Sequence, residues 1–562
     1  MKKLACSIAL CFLVNLGFSQ FQHSFGTEKT EIGMSLDQLQ EVEKGYLVGG
    51  YTSKNFLGSL EATLVKTDLD GNQIWSRIYG GKDYEYFNSV RQSTFFSPNN
   101  PVSYVAAGVT RSFGFGAGDA FLMGVDTNGS PIFSAVYGGK EFDIARCVQN
   151  VRAVTGQPGY IMVGETRSYT QAFPGANVYV ALTDSFGNLL RATVIGGRGD
   201  QRGMWIEQTK DGGYIIAGST TDYRCGVITS ISNAPTDIFV IKLRPNLTIE
   251  WSRIIGYPDE LDPTRAYRNA ANCVKEDKNG NYVLTGYTTS FGLNNSQDAF
   301  LLFLDNGGNF LGMKTYGTER TESGYGLEIT TSTSGNQLYT VVGQQVTSSR
   351  KAMMFQTDGG GNLLWARQYG DTKQETGMEM VTDDFDKGFA FTGYTTSLGA
   401  GGTEIYLVET TDTGKTGTSC EREIDLKEVK HEPCITRSAQ QIFVDDYKKI
   451  DPEAIRTEYK EDRCKNPFGS KNEEEKTLGT KSNIPILFPN PVNNILTMSV
   501  DKGLVINQAS IFDLQGKEII QNINVNEKGK IIVSTEVLKP GMYIIKLRTE
   551  TGEIHLKRFL KK

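Results

Sequence analysis

The chain is expected to be all-β: seven four-stranded units closed into a ring, then a small Ig-like β-sandwich. Three observations predict the ring. An apolar run ending in Gly-x-Thr recurs along the first three quarters of the 562 residues, its glycines 58, 56, 54, 68, 57 and 50 residues apart. Three further strand types recur between these runs in fixed order. The last unit lacks one strand type, and the N-terminal region supplies a copy of it. Regular self-similarity at this period marks a repeat architecture.

The elements follow in order along the chain. Lys2 and Lys3 precede an apolar stretch from Leu4 to Phe18, too short for a lasting membrane span. Residues 1–19 are therefore expected to be a cleaved signal peptide. Phe21-Gln-His-Ser-Phe-Gly26 matches the aromatic-Gly strand that later closes each unit, as in Trp75-Ser-Arg-Ile-Tyr-Gly80. The Gly-x-Thr copies fall at Gly50, Gly108, Gly164, Gly218, Gly286 and Gly393, with Gly343-Gln-Gln345 a degenerate one. Each is followed by an alternating or continuous apolar strand such as Asp298-Ala-Phe-Leu-Leu-Phe-Leu-Asp305, which reads as a buried strand. A Gly-Asn turn leads to the aromatic-Gly strand, clearest in Gly71–Gly80 and Gly361–Gly370, and a weaker fourth strand begins the next unit.

All four strand types thus occur seven times, with the chain permuted by one strand, as a ring closed by a shared unit requires. Closure removes the open sheet edge that an exported β-protein must protect. Residues 20–417 are read as a seven-bladed β-propeller. Over roughly residues 21–415 the units resemble bacterial β-propeller repeats with Gly-Tyr-Thr and Asp-Gly…Trp signatures. Asp-x-x-Gly-Asn segments at Asp68, Asp184, Asp305 and Asp358 lack the spaced acids of a calcium loop and are read as hairpin turns. Trp75, Trp251 and Trp365 share one repeat position and are expected to pack between blades.

Charged residues make up 22% of the chain, both signs are mixed, and the net charge is −6, so a nucleic-acid partner is not expected. Six cysteines follow the signal segment, and export permits disulfides; Cys225 and Cys273 could be bridged. Residues 418–482 read as a charge-dense, cysteine-containing linker. Asp451-Pro452-Glu453 would open a short helix reaching about Arg463.

Long connections concentrate on one end of the ring, where loops on a rigid scaffold commonly carry function. The loop 221–235 holds Tyr223 and Arg224; the loop 257–272 holds Asp259, Asp262, Arg265 and Tyr267. These six form the candidate ligand-contact set, with passive surface insertion as the alternative. The three histidines, His23, His431 and His555, fall outside these loops, so no Ser-His-Asp or Cys-His site is assigned. No catalytic residue, metal or cofactor is assigned either.

From residue 483 the chain reads as short strands. Phe488-Pro489-Asn490-Pro491-Val492 is followed by Phe512-Asp-Leu-Gln-Gly516-Lys517, then by Leu538-Lys-Pro-Gly541-Met-Tyr543, and finally by Lys557-Arg-Phe-Leu-Lys561-Lys562. Residues 483–562 resemble the type A C-terminal sorting domain of Bacteroidetes type IX secretion, with all blocks present and in order. The resemblance implies export across both membranes, engagement of the secretion machinery, and a secreted or outer-membrane surface location without a transmembrane segment in the mature chain. The function expected is a non-catalytic binding or adhesion scaffold for a glycan or protein. The alternatives are a carboxylate-based glycosidase or lyase and a structural component of the cell surface.

Overall fold

In the computed structural model most of residues 20–450 are described, the longer gaps being 222–235 and 257–266, followed by 456–459 and strand segments between 486 and 561. The expected signal peptide, Tyr223, Arg224, Asp259, Asp262 and Arg265 lie outside the described residues. Two compact units result, residues 1–469 and 470–562.

Seven antiparallel sheets make up the first unit. Blades I to VI span residues 31–80, 85–137, 143–196, 201–256, 269–317 and 321–369. Blade VII takes three strands from 375–410, and its outer strand is Gln22–Phe25, paired antiparallel with Glu404–Thr410 so that Gln22 faces Val408. The permuted closure expected from the sequence is therefore formed.

The Gly-x-Thr element acquires a physical reason. Every innermost strand carries a β-bulge, between Gly33 and Ser35 in blade I and at the matching place in the other six. The bulge drives a carbonyl against the second strand. A Cβ on Gly50 would stand 1.9 Å from the Ile32 oxygen, and one on Gly108 1.8 Å from that of Tyr86. Only glycine fits at these sites. The Thr hydroxyl then donates to the residue that opens the innermost strand: Thr52 to Glu31 at 3.0 Å, Thr110 to Glu85 at 2.8 Å, Thr288 to Asn269 at 2.7 Å. In the degenerate copy Gln345 replaces the Thr and donates to Glu322 at 2.6 Å. The same acids accept backbone N–H groups from the incoming connection, as Glu85 does from Gly81 at 2.8 Å.

Blade faces pack on one another through the expected tryptophans. The Trp75 indole donates to the Thr127 carbonyl of the next blade at 3.1 Å, and Trp251 to that of Asn306 at 3.1 Å. Tyr79, Tyr137, Tyr316 and Tyr369 each donate to a glycine carbonyl one blade on. The Asp-x-x-Gly-Asn segments are hairpin turns: Asp68 accepts from the Asn72 backbone at 2.8 Å, and Gly71 sits at φ 75°, where an L side chain is strained.

Residues 421–459 correct the expected linker. They form a belt that adds a fifth strand to six blades, in reverse blade order. Glu421–Glu423 joins blade VI, Lys427–His431 blade V, Cys434–Thr436 blade IV, Gln440–Val444 blade III, Tyr447–Ile450 blade II and Arg456–Tyr459 blade I. The expected helix is not formed over Arg456–Tyr459, because Gly80 to Arg77 offers an open strand edge that pairs these residues antiparallel. Cys273 is a free, buried thiol, so the Cys225–Cys273 bridge is not made; Cys434 on the belt is disulfide-bonded.

In the second unit, Ile486–Phe488, Ile495–Ser499 and Lys530–Ser534 form one sheet. Glu518–Ile520, Ile506–Phe512, Gly541–Thr549 and Ile554–Lys561 form another.

Candidate binding site in the central channel

The innermost strands bring seven equivalent positions to the ring axis. Two residues past each bulge stand Asp37, Arg91, Gln149, Glu207, Lys275, Glu328 and Val381, one per blade. The positions at the bulge itself include Trp205 and Glu379. Alternation along a strand puts residues two apart on one face, so the two tiers share the channel.

These side chains form one network. Arg91 of blade II reaches past blade I to pair with Glu379 of blade VII at 2.8 Å, both side chains under one tenth exposed. Arg91 Nε also donates to Gln149 Oε1 of blade III at 3.0 Å. Lys275 of blade V pairs with Glu328 of blade VI at 3.2 Å and approaches Glu207 of blade IV to 4.0 Å. The Trp205 ring lies between the cations, 5.3 Å from the Arg91 guanidinium and 5.6 Å from the Lys275 ammonium, in cation–π range.

Electrostatics follow from burial and neighbours. Burial raises the Asp37 carboxyl to about 6, against the opposing pull of Arg91 and of the Gln92 N–H that it accepts. Glu207 and Glu328 are raised by burial too, with Lys275 opposing. For Lys275 burial works against the charge, but Glu328 and Glu207 outweigh it and hold the ammonium above its ordinary value.

A cavity of about 490 Å³ opens this network to solvent where the innermost strands end. Gln40, Thr94, Asn150 and Asp384 lie at its rim; Asp37, Arg91, Lys275 and Glu328 lie deeper. This is the end opposite the long loops singled out in the sequence. At that other end Tyr267 is described: its carbonyl accepts from Thr236 N at 3.1 Å, and Arg268 bridges Thr236, so the roots of the two long loops meet. The channel set escaped the sequence reading because each member sits alone in its own repeat. Aligning the repeats on the bulge is the signal that finds it: one column holds three acids, two cations, a Gln and a Val.

His23 and His431 stand away from the channel, bonded to the Gly71 carbonyl at 3.0 Å and the Thr315 hydroxyl at 2.9 Å. Among the described residues no group of three or more His, Cys, Asp or Glu could hold a metal ion, and no helix is long and apolar enough to cross a membrane.

Comparison with known proteins adds the tail's identity. Residues 486–562 match the model of the secretion system C-terminal sorting domain. In that stretch Tyr543 donates to the Lys539 carbonyl at 3.0 Å and Lys561 is buried. No curated protein matches the chain. Among solved structures it is similar to Sqt1 from Chaetomium thermophilum, at 10% identity and TM-score 0.39, over 70% of this chain and all of that one. It is also similar to the extracellular domain of a protein described as one component system BT4673 from B. thetaiotaomicron, at 8% identity and TM-score 0.14, over 97% of this chain and 99% of that one. Those scores are too low to bear on the architecture, which rests on the strand pairing. The chain therefore carries, after a seven-bladed β-propeller, a type IX secretion C-terminal sorting domain, and is exported by that route to the cell surface or the exterior.

Proposed function

We propose that the exported propeller is a non-catalytic binding or adhesion scaffold for a glycan or a protein. One observation supports this reading above the others. Arg91 and Lys275, the cations of the channel, are committed to Glu379, Glu328 and Glu207. Ions held in mutual pairs rigidify a ring, and these five are not free to pass protons to a substrate. The loop set Tyr223, Arg224, Asp259, Asp262, Arg265 and Tyr267 belongs to the proposal as a contact surface for a protein ligand. In the tail, Pro489, Asn490, Pro491, Gly516, Gly541, Tyr543, Lys557, Lys561 and Lys562 are proposed as the features engaged by the secretion machinery. The test is to incubate the purified mature chain with an immobilised glycan panel and with surface-protein extracts, and to analyse the supernatant for cleaved sugars. Retention without product is expected. Product release would replace the scaffold reading with a carboxylate-based enzyme.

A further inference from the structure

The cavity of about 490 Å³ at the channel mouth falls in the size range of small-ligand sites. Its chemistry narrows what can enter. Gln40, Thr94, Asn150 and Thr382 line the rim with amides and hydroxyls, so an apolar ligand would strand polar groups. An anion would meet the lining carboxylates Asp37, Glu328 and Asp384, which outnumber the two lining cations, Arg91 and Lys275. A cation would meet Arg91 and Lys275, whose counter-carboxylates are already engaged. A neutral polyhydroxyl compound suits the mixture, because each hydroxyl both donates and accepts. Behind the lining, the Trp205 ring rests against Arg91 and Lys275, two of the lining side chains, so a change at either reaches the indole.

We propose that the channel mouth is a binding site for a neutral carbohydrate of about one or two rings, recognised by Gln40, Gln149 and Asn150 around the Asp37–Arg91–Lys275–Glu328 floor. This inference rests on the scaffold reading above and deepens it: the glycan goes to the turn end of the ring, not to the long loops.

The test uses the mature chain on an array of neutral and acidic glycans, followed by titration calorimetry with the best neutral binder. Gln40→Ala, at the exposed rim, and Gln149→Ala, at the floor, are expected to weaken binding at least tenfold, while Leu190→Ser, at an exposed position of the outer strand of blade III, leaves it unchanged. Unaltered melting of each variant separates lost contact from lost fold. In parallel, the sugar should change tryptophan fluorescence in the wild type. Neutral-sugar binding that survives both channel variants but falls with Tyr267→Ala or Arg265→Ala overturns the channel site and keeps the scaffold. Selective capture of acidic glycans overturns the ligand class. Capture of protein alone overturns the glycan site and keeps the scaffold. Sugar cleavage overturns the scaffold itself.

Discussion

At the scale of single residues, the seven-fold glycine and the channel charges make the firmest claims. Gly108→Ala would drive a methyl into the Tyr86 carbonyl at 1.8 Å, against backbone of the bulged strand that has no flexible side chain to swing away. It is expected to cost about 3 kcal/mol, read as a fall in melting temperature. Arg91→Met and Glu379→Leu should each cost about 3–5 kcal/mol, because each strands a buried partner charge, whereas the double variant Arg91→Met/Glu379→Leu should cost much less than their sum; a double-mutant cycle by denaturant unfolding measures this. Asp37 behaves differently. Its folded value, about 6, lies above the unfolded one, so the native state binds the extra proton. That contribution is full below about pH 4 and is lost as pH rises through 6. Asp37→Asn should match the wild type at pH 4 and exceed it by on the order of 2 kcal/mol at pH 7.5, as thermal melts at both pH values will show. The glycine was legible in the sequence because one steric cause repeats seven times. The charge network was not, because its partners come from different blades and no local pattern announces a contact 288 residues long such as Arg91–Glu379.

At the scale of elements, the blade strands were readable because burial on both faces writes continuous apolar runs, as in the fully buried Asp119–Val125. The belt was not. Its strands are three to five residues long and lie on the outermost edge, where Lys427–Lys430 stay exposed and, among the described side chains, Leu426 is buried. Edge positions favour charge over alternation, so short belt strands look like a linker. The Pro452–Glu453 signal was sound chemistry for a helix start, but pairing to blade I supplied the backbone hydrogen bonds instead. Ending the chain at residue 417 should therefore do more than remove a tether. Hydrogen exchange of the outer strands of blades I to VI should accelerate, while Gln22–Phe25, which carries no belt strand among the described residues, keeps its rate.

At the scale of the whole molecule, the ring depends on a few residues at its seam. Phe21 and Phe25 are buried, and Gln22 donates to Thr416 at 3.0 Å. Removing residues 21–26 should open blade VII at its Glu404–Thr410 edge, and light scattering should report self-association. The sorting domain should be separable from all of this. A chain ending at residue 485 should fold its propeller but accumulate in the periplasm, as cell fractionation would show.

The seam also sets a timetable. Gln22–Phe25 is made nearly four hundred residues before its partner Glu404–Thr410. Through most of synthesis and translocation the first strand waits without its mate, and the belt cannot be wound until the outer strands it covers exist. Such distant pairing is slow and exposes an unpaired edge meanwhile. Of the two strands at the seam, the earlier-made one is therefore the one that stays unpaired longer.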